Sequence, residues 1–211
     1  MELLDGVEVR VLGALLEKEA ATPDYYPLSL NALVNACNQK SNREPVVNYI
    51  EDDVSDAILR LREKKLAVEI TGGGRVSKYG QRISETLNLG RRELAALCTL
   101  LLRGPQTLGE IKDRSERMHA FADLAEVERV LEKLGEWPGG GLVAKLARRP
   151  GQKEARYTHL LAGEPAADEA GAESAPARSS RLEQLEEEVQ QLRAGLDELR
   201  NRFDQFQAEF R

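Results

Sequence analysis

The sequence predicts a mainly α fold with small β-hairpins (α+β): two tandem winged helix-turn-helix domains followed by a C-terminal coiled-coil helix. Two observations predict it. The order helix, helix, helix, hairpin occurs twice, in residues 1–88 and again in residues 89–162. A regular heptad pattern fills residues 181–211, after a linker at residues 163–180. A three-helix bundle with an incidental hairpin is the alternative, and repetition of the whole order argues against it.

Apolar residues at three- and four-residue spacing mark the helices of the first unit, because that spacing places them on one helical face. They are Leu4, Val7, Val11, Leu12 and Leu15 in the first helix, Leu30, Leu33, Val34 and Cys37 in the second, and Val54, Ala57, Ile58 and Leu61 in the third. The β-branched residues 46–49 predict one short strand. Residues 66–70 and 75–83, on either side of three glycines, predict a hairpin.

The second unit repeats this order with clearer helix ends. Its first helix is predicted to stop before Gly104, and Thr107 with Glu110 has the spacing of a capping box. Asp123 is a predicted N-cap of the third helix. Residues 142–147 and 156–161 predict two strands joined by a basic turn.

Composition sets limits on the class of protein. Among 211 residues, 41% are hydrophobic and 31% charged, which suits small helical domains. Residues 163–211 hold twelve acidic and six basic side chains, so the whole net charge of -6 falls on this tail and residues 1–162 are neutral. The absence of a long apolar run predicts no membrane span, and the N-terminal residues lack a signal-peptide pattern. We therefore expect a cytoplasmic protein, with Cys37 and Cys98 as buried thiols.

The tail carries the most regular pattern in the chain, with apolar residues at alternating steps of three and four. These seam residues are Leu182, Leu185, Val189, Leu192, Leu196, Leu199, Phe203, Phe206 and Phe210. Such a seam predicts a helix of about 45 Å that pairs with the same helix of another chain. The alternative is a helix that folds back onto its own domains, which the linker permits.

Two stretches carry a resemblance to a known family. They are TPDYYPLSLNALVNACNQKSNREPV, at residues 22–46, and ELAALCTLLLRGPQTLGEI, at residues 93–111, followed by residues 117–121. Together they resemble the YceH family of uncharacterised bacterial cytoplasmic proteins, and the resemblance extends over about residues 5–162. It implies two winged-helix domains and, from the fold alone, an expectation of DNA binding.

A polar face on the second helix and the following turn is the first candidate contact surface. It consists of Asn31, Asn35, Asn38, Lys40 and Arg43. Amides can pair with adenine edges, and the two cations can pair with phosphates. The alternative interpretation is that these amides cap the helix end and hold the turn in place, a common use of asparagine.

The predicted wings are the second candidate surface for nucleic acid, because they carry clustered bases. These are Arg75, Lys78 and Arg82 in the first wing and Lys145, Arg148, Arg149, Lys153 and Arg156 in the second. An ordinary solvated basic hairpin is the alternative. The third helices argue against major-groove reading, because their first turns carry carboxylates that would face phosphate. They are Glu51, Asp52, Asp53 and Asp56 in the first unit and Asp123, Glu126 and Glu128 in the second.

Catalytic and cofactor patterns are weak, so we expect no enzyme, no metal and no cofactor. The glycines at residues 72–74 lack the lysine of a phosphate-binding loop. His119 and His159 are too few and too far apart in sequence for a metal site. The leading hypothesis is a DNA-associated or transcription-regulator-like protein. The alternative is a protein-interaction scaffold that does not bind DNA.

The heptad seam generates a prediction about assembly. The full chain should be a dimer or higher oligomer, and removal of residues 163–211 should give folded monomers. Replacing Leu192 and Leu196 with Asp should have the same effect, because charges at seam positions must be desolvated in the paired state. Light scattering measures both. A monomeric full chain, or a truncated chain that stays dimeric, would contradict the prediction.

Overall fold

The computed structural model describes residues 2–71, 76–148, 152 and 154–164. The first helix, α1, spans Gly6–Ala21 and begins where the sequence predicts an apolar stripe. Asp5 accepts hydrogen bonds from the backbone N–H groups of Val7 and Glu8, and Glu8 accepts one from the N–H of Asp5. This capping box satisfies backbone donors that a helix leaves without partners.

Two further helices complete the predicted set of the first half. Helix α2 spans Leu30–Cys37, with Ser29 as its N-cap, and helix α3 spans Glu51–Glu63. Both predicted helices are confirmed. The apolar positions named for α3 are all buried, because its three- and four-residue spacing turns one stripe towards α1.

A three-stranded antiparallel sheet lies beside these helices. Its strands are β1 (Leu28–Ser29), β2 (Ala67–Ile70) and β3 (Lys78–Gln81), in the order β1-β3-β2. Ala67 pairs with Gln81 and Ile70 with Lys78, which confirms the predicted hairpin. A short helix, α4 (Ile83–Thr86), follows it.

The second half repeats the order of three helices and a hairpin. Helices α5 (Arg91–Arg103), α6 (Leu108–Ser115) and α7 (Leu124–Gly135) precede strands β4 (Val143–Lys145) and β5 (Tyr157–His159). These bounds confirm the predicted end of the first helix, the Thr107 capping box and the Asp123 N-cap. The two strands pair antiparallel, Val143 with His159, and are shorter than predicted.

Helices α1 and α5 pack against each other and join the two halves. Gly13 of α1 lies so close to α5 that a Cβ there would stand 2.8 Å from Cδ2 of Leu102. The Sγ of Cys98 donates a hydrogen bond of 3.3 Å to the carbonyl oxygen of Gly13. The described residues, from 2 to 164, therefore belong to one compact unit with a continuous apolar core.

The ends of this unit also meet. The backbone N–H of Leu4 donates to the carbonyl oxygen of Leu161 over 2.8 Å. Lys64, the residue directly after α3, donates to the carbonyl oxygen of Leu3 and to both carboxylate oxygens of Glu8. The segment before α1 is thus held by the last residues of the second half and by α3.

The structure corrects the prediction of a strand at residues 46–49, which have no regular structure. The side chain of Asn38 accepts a hydrogen bond from the N–H of Tyr49 and donates one to its carbonyl oxygen, both over 2.8 Å. A side-chain amide thus takes the two backbone groups that a neighbouring strand would have paired. The strand that joins the hairpin is β1, directly before α2.

The described residues form seven α-helices and two small antiparallel sheets, which confirms the mixed α+β class. The winged-helix interpretation and the boundary between residues 88 and 89 stay predictions. The linker at residues 163–180 lies outside the described residues, except for 163 and 164. The predicted helix at residues 181–211, with its predicted seam, lies wholly outside them.

The contact between α1 and α5 yields a prediction about stability. Gly13→Ala should lower the free energy of unfolding by about 1–3 kcal/mol, because its methyl group would overlap Leu102 and force the helices apart. The same change at Gly6, whose Cβ position has no atom within 4 Å, is the matched control and should not destabilise. Urea unfolding of both variants measures the difference. Equal stability of the two variants would contradict close packing at Gly13.

Candidate functional site

The exposed face of α3 is an acidic ridge, which we define as Asp52, Asp56, Leu59 and Glu63. Their spacing of four, three and four residues places them on one side of the helix. All four are exposed, and Leu59 has 48% of its surface accessible to solvent. The ridge therefore presents three carboxylates around one apolar side chain.

The basic side chains of α3 do not neutralise this ridge. Arg60 pairs with Asp5 before α1, at 2.8 Å, and Arg62 pairs with Glu69 of β2, also at 2.8 Å. Asp53, beside the ridge, accepts a hydrogen bond of 3.0 Å from the N–H of Ile50 and so caps the helix. The cations of α3 are therefore directed at other carboxylates.

The predicted amide surface divides between two roles. Asn31 and Asn35 are exposed and share a hydrogen bond of 3.1 Å, and Lys40 is exposed after the helix. Asn38 instead holds the backbone of Tyr49. For Asn38 the structure thus favours the alternative, in which the amide ties down the following segment.

Arg43 must be removed from the predicted contact surface, because its side chain is fully enclosed (0% exposed). Its Nη1 and Nη2 donate to the two carboxylate oxygens of Glu17, over 3.0 and 2.6 Å. Further donors reach the carbonyl oxygens of Ala36 and Asn42 and the side chain of Gln39. The guanidinium therefore joins α1 to the segment after α2 and has no face left for phosphate.

The first predicted wing retains modest positive charge in the described residues. Lys78 is exposed on β3, and Arg82 lies 3.3 Å from Glu85 in α4. Arg75 lies outside the described residues. A cation paired with a neighbouring carboxylate contributes less to phosphate attraction than a solitary one.

The second wing also has local carboxylates beside its bases. The Nζ of Lys145 lies 3.8 Å from Glu128 and 5.5 Å from the centre of the Tyr157 ring, and its side chain is 57% exposed. Arg156 donates to the carbonyl oxygen of Pro105 and to Glu110. Arg148 is exposed. Arg149 and Lys153 lie outside the described residues.

The carboxylates at the start of α7 have structural roles. Asp123 accepts a hydrogen bond of 2.7 Å from the N–H of Glu126. Glu126 accepts one of 2.9 Å from the N–H of Ala122 and lies 3.2 Å from Arg92, and that backbone hydrogen bond holds the pKa of Glu126 below its usual value. The acidic start of α7 is therefore largely engaged, in contrast to the ridge of α3.

The described residues show no arrangement that points to redox or metal chemistry. Cys37 and Cys98 are both buried and free, as predicted. Burial raises the pKa of Cys37 to about 12 and raises that of Cys98 as well, so both stay protonated and unreactive. No group of three or more potential metal ligands occurs among the described residues. None of the helices described is both long and apolar enough to cross a bilayer.

The fold and its surfaces define an α+β protein in which a helix-helix-helix-hairpin order occurs twice around one core. Comparison with known proteins assigns it to a family. Residues 4–152 match the family described as "Protein of unknown function, DUF480". The chain belongs to this family, whose members carry the name UPF0502 protein. The assignment is compatible with the resemblance seen in the sequence, although the YceH name itself stays a prediction.

Relatives from several bacteria resemble almost the whole chain. A UPF0502 protein of Solibacter usitatus is 52% identical over 208 residues, which cover 95% of this chain and 98% of the relative. One from Pelobacter propionicus is 51% identical over 216 residues, covering 99% and 98%. One from Aeromonas hydrophila is 48% identical over 219 residues, covering 98% and 100%. The similarity thus extends to residues 165–211, beyond the described unit.

The burial of Arg43 leads to a prediction. Arg43→Met should lower the free energy of unfolding by about 3 kcal/mol, because Glu17, itself only 14% exposed, would lose its bidentate partner. Adding Glu17→Gln to Arg43→Met should restore part of the loss, which a double-mutant cycle in urea measures. Lys40→Met, at an exposed base in the same segment, is the matched control. A loss no larger than that of the control would contradict a structural role for Arg43.

Proposed function

We propose that this chain is a non-enzymatic protein-interaction module that binds a basic partner through the acidic ridge of α3. The observation that carries the proposal is the ridge itself, three exposed carboxylates around the exposed Leu59 on the outward face of one helix. The third helix of a winged-helix unit is the element that normally enters the DNA major groove. A face with this charge favours a partner that carries lysine and arginine and opposes phosphate.

The chemistry of the ridge describes the partner. Carboxylates attract a basic surface over about 8 Å at physiological ionic strength and orient it during the encounter. Leu59 and Ile50, which is 61% exposed at the start of α3, supply apolar area that becomes buried on contact. The partner we expect is therefore a protein segment with several basic residues and at least one apolar one.

Association with DNA through the second hairpin is the second candidate. The exposed side chains of Lys145 and Arg148 favour it, together with the sequence positions of Arg149 and Lys153. Contact through these bases would reach phosphates and not base edges. Binding would then depend steeply on salt and discriminate little between sequences.

One set of variants tests the proposed function. Asp52, Asp56 and Glu63 changed together to Lys should abolish capture of partner proteins from nuclease-treated native lysate, because the ridge would repel a basic surface. The matched control reverses three exposed carboxylates of the second half, Asp113, Glu116 and Glu136, and should keep the partners. Quantitative mass spectrometry compares the two. An unchanged partner set in the ridge variant would refute the proposal.

Fluorescence anisotropy with a random DNA duplex, at low and near-physiological salt, tests the second candidate, association with DNA. Arg148, Arg149 and Lys153 changed together to Glu should abolish any DNA binding, while Asp52→Asn with Asp53→Asn should leave it intact or strengthen it. No binding at low salt would exclude this candidate. Tight binding that is lost on altering α3 would instead indicate major-groove reading and contradict both candidates.

A further inference from the structure

A cavity of about 460 Å³ lies where the two halves meet, and no residue of the acidic ridge lines it. Glu19, at the end of α1, and Gln81, at the end of β3, line it from the first half. Arg91 and Leu94 of α5 line it from the second half. Its remaining lining residues are Ala20, Pro23, Ser84, Ala95 and Met118. The volume lies within the range of sites that bind small molecules, about 300–1,000 Å³.

Glu19 supplies a negative charge to this cavity. Its Oε2 accepts a hydrogen bond of 2.7 Å from Nε2 of Gln81, whose own amide is held by Ser84. Within the described chain, its Oε1 accepts no hydrogen bond and no cation lies within 4.0 Å. Burial raises the pKa of Glu19, with the Gln81 hydrogen bond opposing the rise. An incoming ammonium group would thus meet a positioned carboxylate that has one oxygen available.

Arg91 supplies a positive charge to the same cavity. Its Nε donates a hydrogen bond of 2.9 Å to the carbonyl oxygen of Met118, which fixes the plane of the guanidinium. Among the described residues no salt bridge joins Arg91 to Glu19, although the two line one cavity. Its two Nη groups make no hydrogen bond within the described chain, and their fork geometry suits a carboxylate.

We propose that this cavity binds a small apolar α-amino acid, with its ammonium group on Glu19, its carboxylate on Arg91 and its side chain against the apolar wall. Two opposite charges that share a cavity without pairing fit a zwitterion better than a simple anion or cation. The wall formed by Ala20, Pro23, Leu94 and Ala95 provides no charge for a polar side chain. This ligand site is independent of the partner proposed for α3.

The consequence of such binding follows from the position of the cavity. Because each half supplies one of the two charged groups, a bound amino acid would bridge the halves. A ligand that binds only the folded state stabilises it in proportion to its saturation. The protein would therefore melt at a higher temperature in the presence of the ligand, and both halves would become more stable against unfolding.

Titration calorimetry of the full chain tests the proposal with L-leucine, L-methionine and L-phenylalanine. We expect saturable binding and a rise in melting temperature. Three probes that lack one feature each should bind roughly tenfold more weakly or worse, since a charge-assisted contact or the apolar contact is lost. They are 3-methylbutylamine, without the carboxylate, 4-methylpentanoate, without the ammonium group, and glycine, without the side chain. Because these probes need no variant, the test holds even if a substitution impairs folding.

Variants then locate the site. Glu19→Gln and Arg91→Gln should each weaken binding about tenfold or more, and Ala20→Phe should abolish it by filling the cavity. Glu136→Gln and Arg129→Gln, at exposed positions of the second half, are the matched controls and should bind as the parent does. Three results would overturn the proposal. The first is that none of the three amino acids binds up to roughly 10 mM, well above a millimolar Kd. The others are that 3-methylbutylamine binds as tightly as L-leucine, or that Glu19→Gln and Arg91→Gln bind the amino acids as tightly as the parent.

Discussion

The close approach of α1 and α5 is the constraint on which the rest of the structure depends. A glycine at position 13 lets the α1 backbone come within van der Waals contact of Leu102, and the thiol of Cys98 closes the same contact with a hydrogen bond. Each helix belongs to a different half, so the interior of one half continues into the other. This contact joins the two halves, and the cavity lined by residues of both lies beside it.

Charge distribution separates structural surfaces from candidate functional ones. Several charges near helix ends pair with neighbouring groups: Glu8 pairs with Lys64, Glu17 with Arg43, and Glu126 caps a helix start while pairing with Arg92. Such pairs satisfy buried or half-buried groups and add little at the surface. The ridge of α3 differs because, among the described residues, none of its three carboxylates caps a helix or pairs with a cation, which is why we base the proposed function on it.

The sequence predicts what local chemistry determines. The helix starts at Thr107 and Asp123 follow from side chains within three residues, and apolar spacing identifies the buried faces. Contacts between residues far apart in the sequence could not be predicted in this way. Residues 46–49 have strand-forming side chains, yet Asn38 bonds both backbone groups of Tyr49. Arg43 is a charged residue of the type usually found at the surface, yet it is buried in an ion pair with Glu17, 26 residues away. The cavity joins residues from 19 to 118, and no sequence motif marks it.

The hydrogen bond between Leu4 and Leu161 has a consequence for how the molecule comes apart. This hydrogen bond joins the beginning of the first half to the end of the second half, and more than 150 residues lie between its two partners. Unfolding of either half would break this hydrogen bond and expose the shared core. We therefore expect the two halves to unfold cooperatively. Two repeated units in one protein would ordinarily unfold one after the other. Here we expect heat or denaturant to unfold both in a single transition.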